Sequence, residues 1–117
     1  MTGEDTAQAL GSGSLAVLAT PRLLAWCEAA TCRAVEGRLP VGSTTVGTSV
    51  RLEHLAPSAP GETLTVSAEL TEVDGRRLSF VVEAVDAAGT VVGRGTVDRV
   101  AVDEGRFRSR LRRPGGA

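Results

Sequence analysis

The spacing of apolar residues changes period once along this chain, at Pro40–Gly42, and that change restricts the fold more than any other feature. Before it, Leu23, Leu24, Cys27, Ala30, Thr31, Ala34 and Val35 recur at helical intervals. They follow Thr20-Pro21, which reads as an N-cap with proline at the first helical position, and Gly37 supplies the stop. The segment predicts one helix of roughly four turns, apolar on most sides, and such a helix must be wrapped by other structure. After the break the period is two. Val46, Thr48, Val50, Leu52 and His54 fall on one face of a first strand, and Leu64, Val66, Ala68 and Leu70 alternate with polar residues in a second. Asp74-Gly75 predicts a hairpin turn. Residues 78–85 are apolar on nearly both faces, as in a central strand, and a last strand from 91 to about 102 is loosened by Gly93 and Gly95. The expected class is α+β: one buried helix, then a four-stranded antiparallel meander.

A helix followed by a long antiparallel sheet that wraps it is the hot-dog arrangement. Such a sheet leaves edges and an apolar face that two subunits usually cover together, so a homodimer or higher homo-oligomer is expected. Residues 1–14 form a polar N-terminal segment with at most a short helical turn between Asp5 and Leu10. Residues 15–105 form the domain, and residues 106–117 an arginine-rich tail expected to fray. The core must be aliphatic, because Trp26, Phe80 and Phe107 are the only aromatic residues. That scarcity, with a net charge of −1, argues against nucleic acid or an anionic membrane as partner. No apolar run reaches the length of a membrane span. Cys27 and Cys32 have neither redox-pair nor zinc-knuckle spacing and read as reduced thiols of a cytoplasmic protein. All 13 basic residues are arginine, which with the wealth of Ala, Gly and Val suggests a GC-rich bacterial genome.

Two titratable residues stand out chemically. His54, the chain's sole histidine, ends an alternating run just before a Pro-Gly loop, and Glu28 lies inside an otherwise apolar helix. Ala19-Thr20, Glu28 eight residues later, Gly47-Thr48 and His54 before Pro57–Gly61 together resemble the fluoroacetyl-CoA thioesterase-like family of hot-dog proteins. Asp74-Gly-Arg-Arg-Leu-Ser-Phe80 is similar to the family's hairpin, and Gly95-Thr-Val-Asp-Arg-Val100 to its last strand. The resemblance spans about residues 15–110. It implies an acyl-CoA thioesterase releasing a free acid and CoA, with Thr20, Glu28 and His54 catalytic and Gly47 near the thioester carbonyl. No cofactor or metal is implied, CoA being part of the substrate. The family's usual first strand is missing here, leaving four main strands per subunit. No aromatic lid of the kind tied to fluoroacetyl selectivity is visible, so a broader range of small acyl-CoA substrates is expected.

Each residue also has a plainer reading. Thr20 is explained as a helix cap. Glu28 could face solvent or pair with Arg22, Arg33 or an arginine across a dimer. If desolvated among alanines it would serve as a general base, or it could attack the thioester directly. Gly47 could mark a bulge, and its backbone N–H or that of Thr48 could approach the carbonyl closely. Cys27 is best read as core packing. Arg76 and Arg77 follow a hairpin and are ordinarily solvated, yet they could meet the phosphates of CoA, as could the arginines from Arg106 onward. The rival readings are a hot-dog protein that binds an acyl-CoA or other small ligand without hydrolysing it, and a dimerisation domain with Glu28 and His54 in solvent.

Overall fold

A computed structural model describes residues 1–111. A short 3₁₀ turn, Gly3–Asp5, and the one-turn helix α1 (Ala7–Leu10) precede the long helix α2 (Thr20–Ala34). Four strands follow: β1 (Ser43–His54), β2 (Leu64–Asp74), β3 (Arg77–Asp86) and β4 (Val91–Asp103). Helix α3 (Glu104–Ser109) occupies part of the tail expected to fray, capped by the Asp103 carboxylate, which accepts from the N–H of Arg106. The remainder of that tail, 112–117, lies outside the described residues.

The strands form one antiparallel sheet in the order β1-β4-β3-β2. Only β2-β3-β4 is a meander; β1 pairs with β4 and not with its sequence neighbour β2. The expected four-strand meander is thereby corrected, and the reason lies in residues 55–63. Pro57 and Pro60 cannot extend a ladder, and the amides of Leu55 and Ala56 both donate to the Val92 carbonyl, steering the chain over the end of the sheet. The β2–β3 hairpin is tight, with Gly75 at φ +60° in its first central position, the geometry of a type II′ turn.

Helix α2 lies on one face of the sheet. Leu23, Cys27, Ala30 and Thr31, at helical spacing, are buried against a core that includes Leu78, Phe80, Val82, Ala84, Val92 and Val97. Gly93 does not loosen β4 as expected: a Cβ there would lie 2.7 Å from Leu23 Cδ2, so glycine lets the helix approach the sheet.

A bulge interrupts the β1–β4 ladder between Gly47 and Ser49, leaving Thr48 outside the register. The extra residue reverses which side chains face the helix. Thr45 and Gly47 share that face with Val50, Leu52 and His54, whereas Val46, opposite Val100, falls on the other; the single face expected for Val46 through His54 is therefore corrected.

The N-terminal segment is tied to the domain. Thr6 bridges Leu18, the Met1 ammonium donates to the Glu62 carbonyl at 2.6 Å, and Asp5 pairs with Arg22 at 3.1 Å.

Candidate active site

The N-cap of α2 is Ala19, so Thr20 is already helical and its hydroxyl makes no capping bond, contrary to expectation. That hydroxyl is instead 2.8 Å from Nδ1 of His54, at the end of β1. Two strand ends and a helix start meet here, since His54 pairs with Gly93 and Gly93 admits Leu23 from the first turn of α2. The other ring nitrogen, Nε2, is buried and has no hydrogen-bond partner among the described residues. The Thr20–His54 pair borders a pocket of about 340 Å³ whose other walls are Ala7, Ser12, Val17, Leu18 and residues 55–57. Apart from the imidazole, no ionisable side chain lines it. Burial lowers the pKa of His54 from its ordinary value, and the nearby Ala56 backbone acts the other way without reaching hydrogen-bond geometry to the ring. A neutral imidazole at pH 7 has two useful states. Thr20 donating to Nδ1 leaves the ring proton on Nε2, and the opposite tautomer leaves Nε2 as a base.

Glu28 belongs to a second cluster. Its Oε2 accepts from Nη1 of Arg99 at 3.1 Å, while Arg99 Nε donates to Thr45 Oγ1 at 2.9 Å and Nη2 to the Thr45 carbonyl at 3.1 Å. The Arg99 side chain is 8% exposed and that of Glu28 34%. Glu28 is thus neither desolvated among alanines nor paired with Arg22 or Arg33, as considered above; its partner is a buried arginine on β4. Gly47 faces both groups, and a Cβ there would come to 2.5 Å from Glu28 Oε2 and 3.3 Å from Arg99 Nη1. Any side chain at this point would push Glu28 away from the guanidinium. Arg99 is the residue of this cluster that sequence reading overlooked. Its signal was present: Val97 and Arg99 alternate on the helix-facing side of β4, and a charge in a core register needs a partner.

The two clusters are separate within one protomer. Thr20 and Glu28 are eight residues apart on one helix, about 12 Å along its axis, and Gly47 and His54 seven apart on one strand, about 23 Å if it is extended. No hydrogen bond joins Glu28 to Thr20 or His54 among the described residues. Thr48 is taken up by the bulge, its hydroxyl donating to the Asp98 carbonyl at 3.2 Å. Arg76 sits in the β2–β3 turn and Arg77 begins β3, both exposed and neither lining the His54 pocket. Burial pushes the Cys27 thiol up, as suits a packing residue. Among the described residues no cluster of metal-ligating side chains occurs, and no helix is long and apolar enough to cross a membrane.

A long helix laid on an antiparallel sheet in this strand order is the hot-dog thioesterase fold, and it recurs in solved relatives. The structure of the fluoroacetyl-CoA thioesterase FlK matches with a TM-score of 0.88 at 32% identity, over 97% of this chain and 90% of that one. A Thermus thermophilus protein described as a thioesterase superfamily member matches with a TM-score of 0.87 at 26% identity, over 93% and 80% of the two chains. The protein is a thioester hydrolase of the hot-dog class. The family model for the fluoroacetyl-CoA-specific thioesterase matches residues 1–105. The fluoroacetyl-CoA thioesterase of Streptantibioticus cattleyicolor is 38% identical over 96 residues, 82% of this chain and 68% of that protein. The chain belongs to the fluoroacetyl-CoA-specific thioesterase family.

Proposed function

We propose that this protein hydrolyses an acyl-CoA thioester with a small, uncharged acyl group to the free acid and CoA, as a homodimer in a bacterial cytoplasm. The observation that carries the reading is the His54 imidazole, held by Thr20 with Nε2 buried, unpartnered and beside a pocket. CoA as the carrier is supported by relatives: one FlK variant is solved with fluoroacetate and CoA, and another with acetyl-CoA. The pocket's uncharged lining favours an acyl group without a second carboxylate. Its small walls, Ala7 and Ser12, favour a range wider than fluoroacetyl.

Hydrolysis adds water across the carbonyl, breaks the C–S bond and returns a proton to the leaving thiolate. Glu28, oriented by Arg99, serves as the base that activates water or as the nucleophile that first takes the acyl group. His54 donates to the carbonyl or moves the proton, and Thr20 fixes its ring. The backbone at the Gly47–Thr48 bulge, where the ladder is interrupted, suits close approach of the carbonyl oxygen. One protomer holds the Thr20–His54 pair and the Glu28–Arg99 pair too far apart to share a water. A twofold partner resolves this by setting its Glu28 cluster opposite the first protomer's His54. Free-thiol release from a panel of short-chain and aryl acyl-CoAs tests the reading, with wild type compared to Glu28→Gln and His54→Ala. Turnover that falls at least a hundredfold in both variants is expected. Binding without turnover by wild type would instead make this a carrier.

A further inference from the structure

We infer that Thr45 is a positioning residue for hydrolysis: it holds the Arg99 guanidinium so that Glu28 is engaged through one carboxylate oxygen and keeps the other free to act. The inference rests on the role given to Glu28 above and names the residue that makes that role available. Thr45 lies on β1 with Ala101 as its partner across the ladder, while Arg99 stands opposite Gly47. Thr45 and Arg99 are therefore diagonal neighbours on the helix-facing side of the β1–β4 pair. Gly47 leaves the space between them open, since a Cβ there would stand 3.3 Å from Arg99 Nη1.

The donors of the guanidinium decide what Glu28 can do. A guanidinium presents its N–H groups as a planar fork, and the Nε–Nη2 edge is one of those through which it grips a carboxylate with two parallel bonds. Thr45 occupies that edge by itself. Its Oγ1 accepts from Nε at 2.9 Å and its carbonyl from Nη2 at 3.1 Å. Glu28 is left with Nη1, which donates to Oε2 at 3.1 Å. Oε1 accepts no hydrogen bond among the described residues, and the Glu28 side chain is part-exposed, so this oxygen can meet a water or a thioester carbon. A two-oxygen grip would tie both carboxylate oxygens to the arginine.

Nothing on the helix side substitutes for this hold. Thr31, fully buried, donates from its hydroxyl to the Glu28 carbonyl at 2.6 Å, which anchors the backbone of Glu28 and not its carboxylate. The carboxylate takes its orientation from Arg99, and Arg99 takes its own from Thr45. Threonine suits the task because its branched Cβ restricts χ1 in a strand and so fixes Oγ1. Valine has the same shape without the acceptor. In Thr45→Val the Nε–H of a buried guanidinium loses its partner, and the free oxygen of Glu28 is the acceptor it can turn to. The guanidinium then closes on both oxygens, and turnover falls although substrate still binds.

Steady-state thiol release by the full chain, from the fastest acyl-CoA of the panel above, tests the assignment with Thr45→Val and Thr45→Ser, each also made in the Glu28→Gln background. Thr45→Val is expected to lower kcat about tenfold with KM changed by no more than about twofold, and Thr45→Ser to keep most of the wild-type rate. In Glu28→Gln the valine should cost no more than about twofold further, because a residue acting through the Glu28 carboxylate has nothing left to position. The same loss in both backgrounds would make Thr45 a general support of β1 and overturn the inference. Wild-type kcat in Thr45→Val, or equal losses in the valine and serine variants, would overturn it too. If urea melts show that valine unfolds the chain, Thr45→Ala removes the same oxygen and carries the same expectations. Full turnover by Glu28→Gln overturns the role of Glu28 and this inference together, whereas Glu28-dependent turnover indifferent to Thr45 overturns this inference alone.

Discussion

His54 titrates below the ordinary histidine value because burial penalises the imidazolium. The unfolded chain therefore binds a proton at a higher pH than the folded one. The stability tied to this group is present above about pH 6.5 and is lost as pH falls through the lower folded value. Activity that depends on neutral imidazole should follow the same course, with the acid limb of kcat/KM lying below pH 6.5 and falling about tenfold per unit. Because the chain has one histidine, a single imidazole C–H resonance followed by NMR reads this pKa without assignment. A midpoint at or above 6.5 would contradict the burial argument. At Gly47 the prediction is steric. Gly47→Ala puts a methyl 2.5 Å from Glu28 Oε2 and 3.3 Å from Arg99 Nη1, so the partly exposed Glu28 carboxylate must swing off the buried guanidinium. We expect at least a tenfold loss of kcat with destabilisation of about 1–3 kcal/mol, the usual cost of overpacking, read by turnover and urea melts together.

Among the elements, strand β4 carries the greatest burden, since it pairs with both β1 and β3, holds Arg99, and bears the glycine that admits the helix. Gly93→Ala forces a Cβ to 2.7 Å from Leu23 Cδ2 and 3.2 Å from the Glu53 carbonyl. Leu23 must then repack, and the start of the helix, which carries Thr20, is loosened with it. The expected result is a loss of about 1–3 kcal/mol by denaturant unfolding, together with reduced turnover. Full turnover at reduced stability would show that Leu23 absorbs the added methyl and leaves Thr20 on His54. What was legible in the sequence follows the same elements. The helix and four strands could be read because their periods are local properties of the chain. The β1–β4 pairing could not, because a long connection leaves the partner of a strand unstated. The bulge at Thr48 was equally hidden, since Val46 and Val50 keep perfect alternation in sequence while facing opposite ways in the sheet. His54 and Glu28 stand out in the sequence by themselves, as a lone histidine at a strand end and an acid in an apolar helix, whereas Thr20 and Gly47 came from a resemblance in order and spacing. Their pairing into Thr20–His54 and Glu28–Arg99 came only from the fold, because it depends on contacts 34 and 71 residues apart.

At the scale of the whole molecule, the separation of those pairs makes a prediction about assembly. If each site takes Thr20 and His54 from one protomer and Glu28, Arg99 and Gly47 from its partner, two defects in different chains do not fall on every site. A dimer of one His54→Ala chain and one Glu28→Gln chain has one site with both defects and one site with neither. Statistical remixing of two inactive proteins should therefore restore about a quarter of wild-type activity, half the dimers being mixed and half their sites intact. The recovery should appear only after the subunits exchange, for example on refolding the two variants together from urea, and not on simple mixing of stable dimers. A site confined to one protomer gives no recovery at any ratio, since every such site keeps its own defect. The unpaired outer edge of β1 is where the partner is expected to add, because that strand carries both His54 and Gly47 and its other edge is already occupied by β4. Proline at Ser49, at the middle of that strand, removes a donor from the ladder, and it should lower the dimer fraction in sedimentation and turnover in parallel. Monomers that keep full activity would place the whole site within one chain.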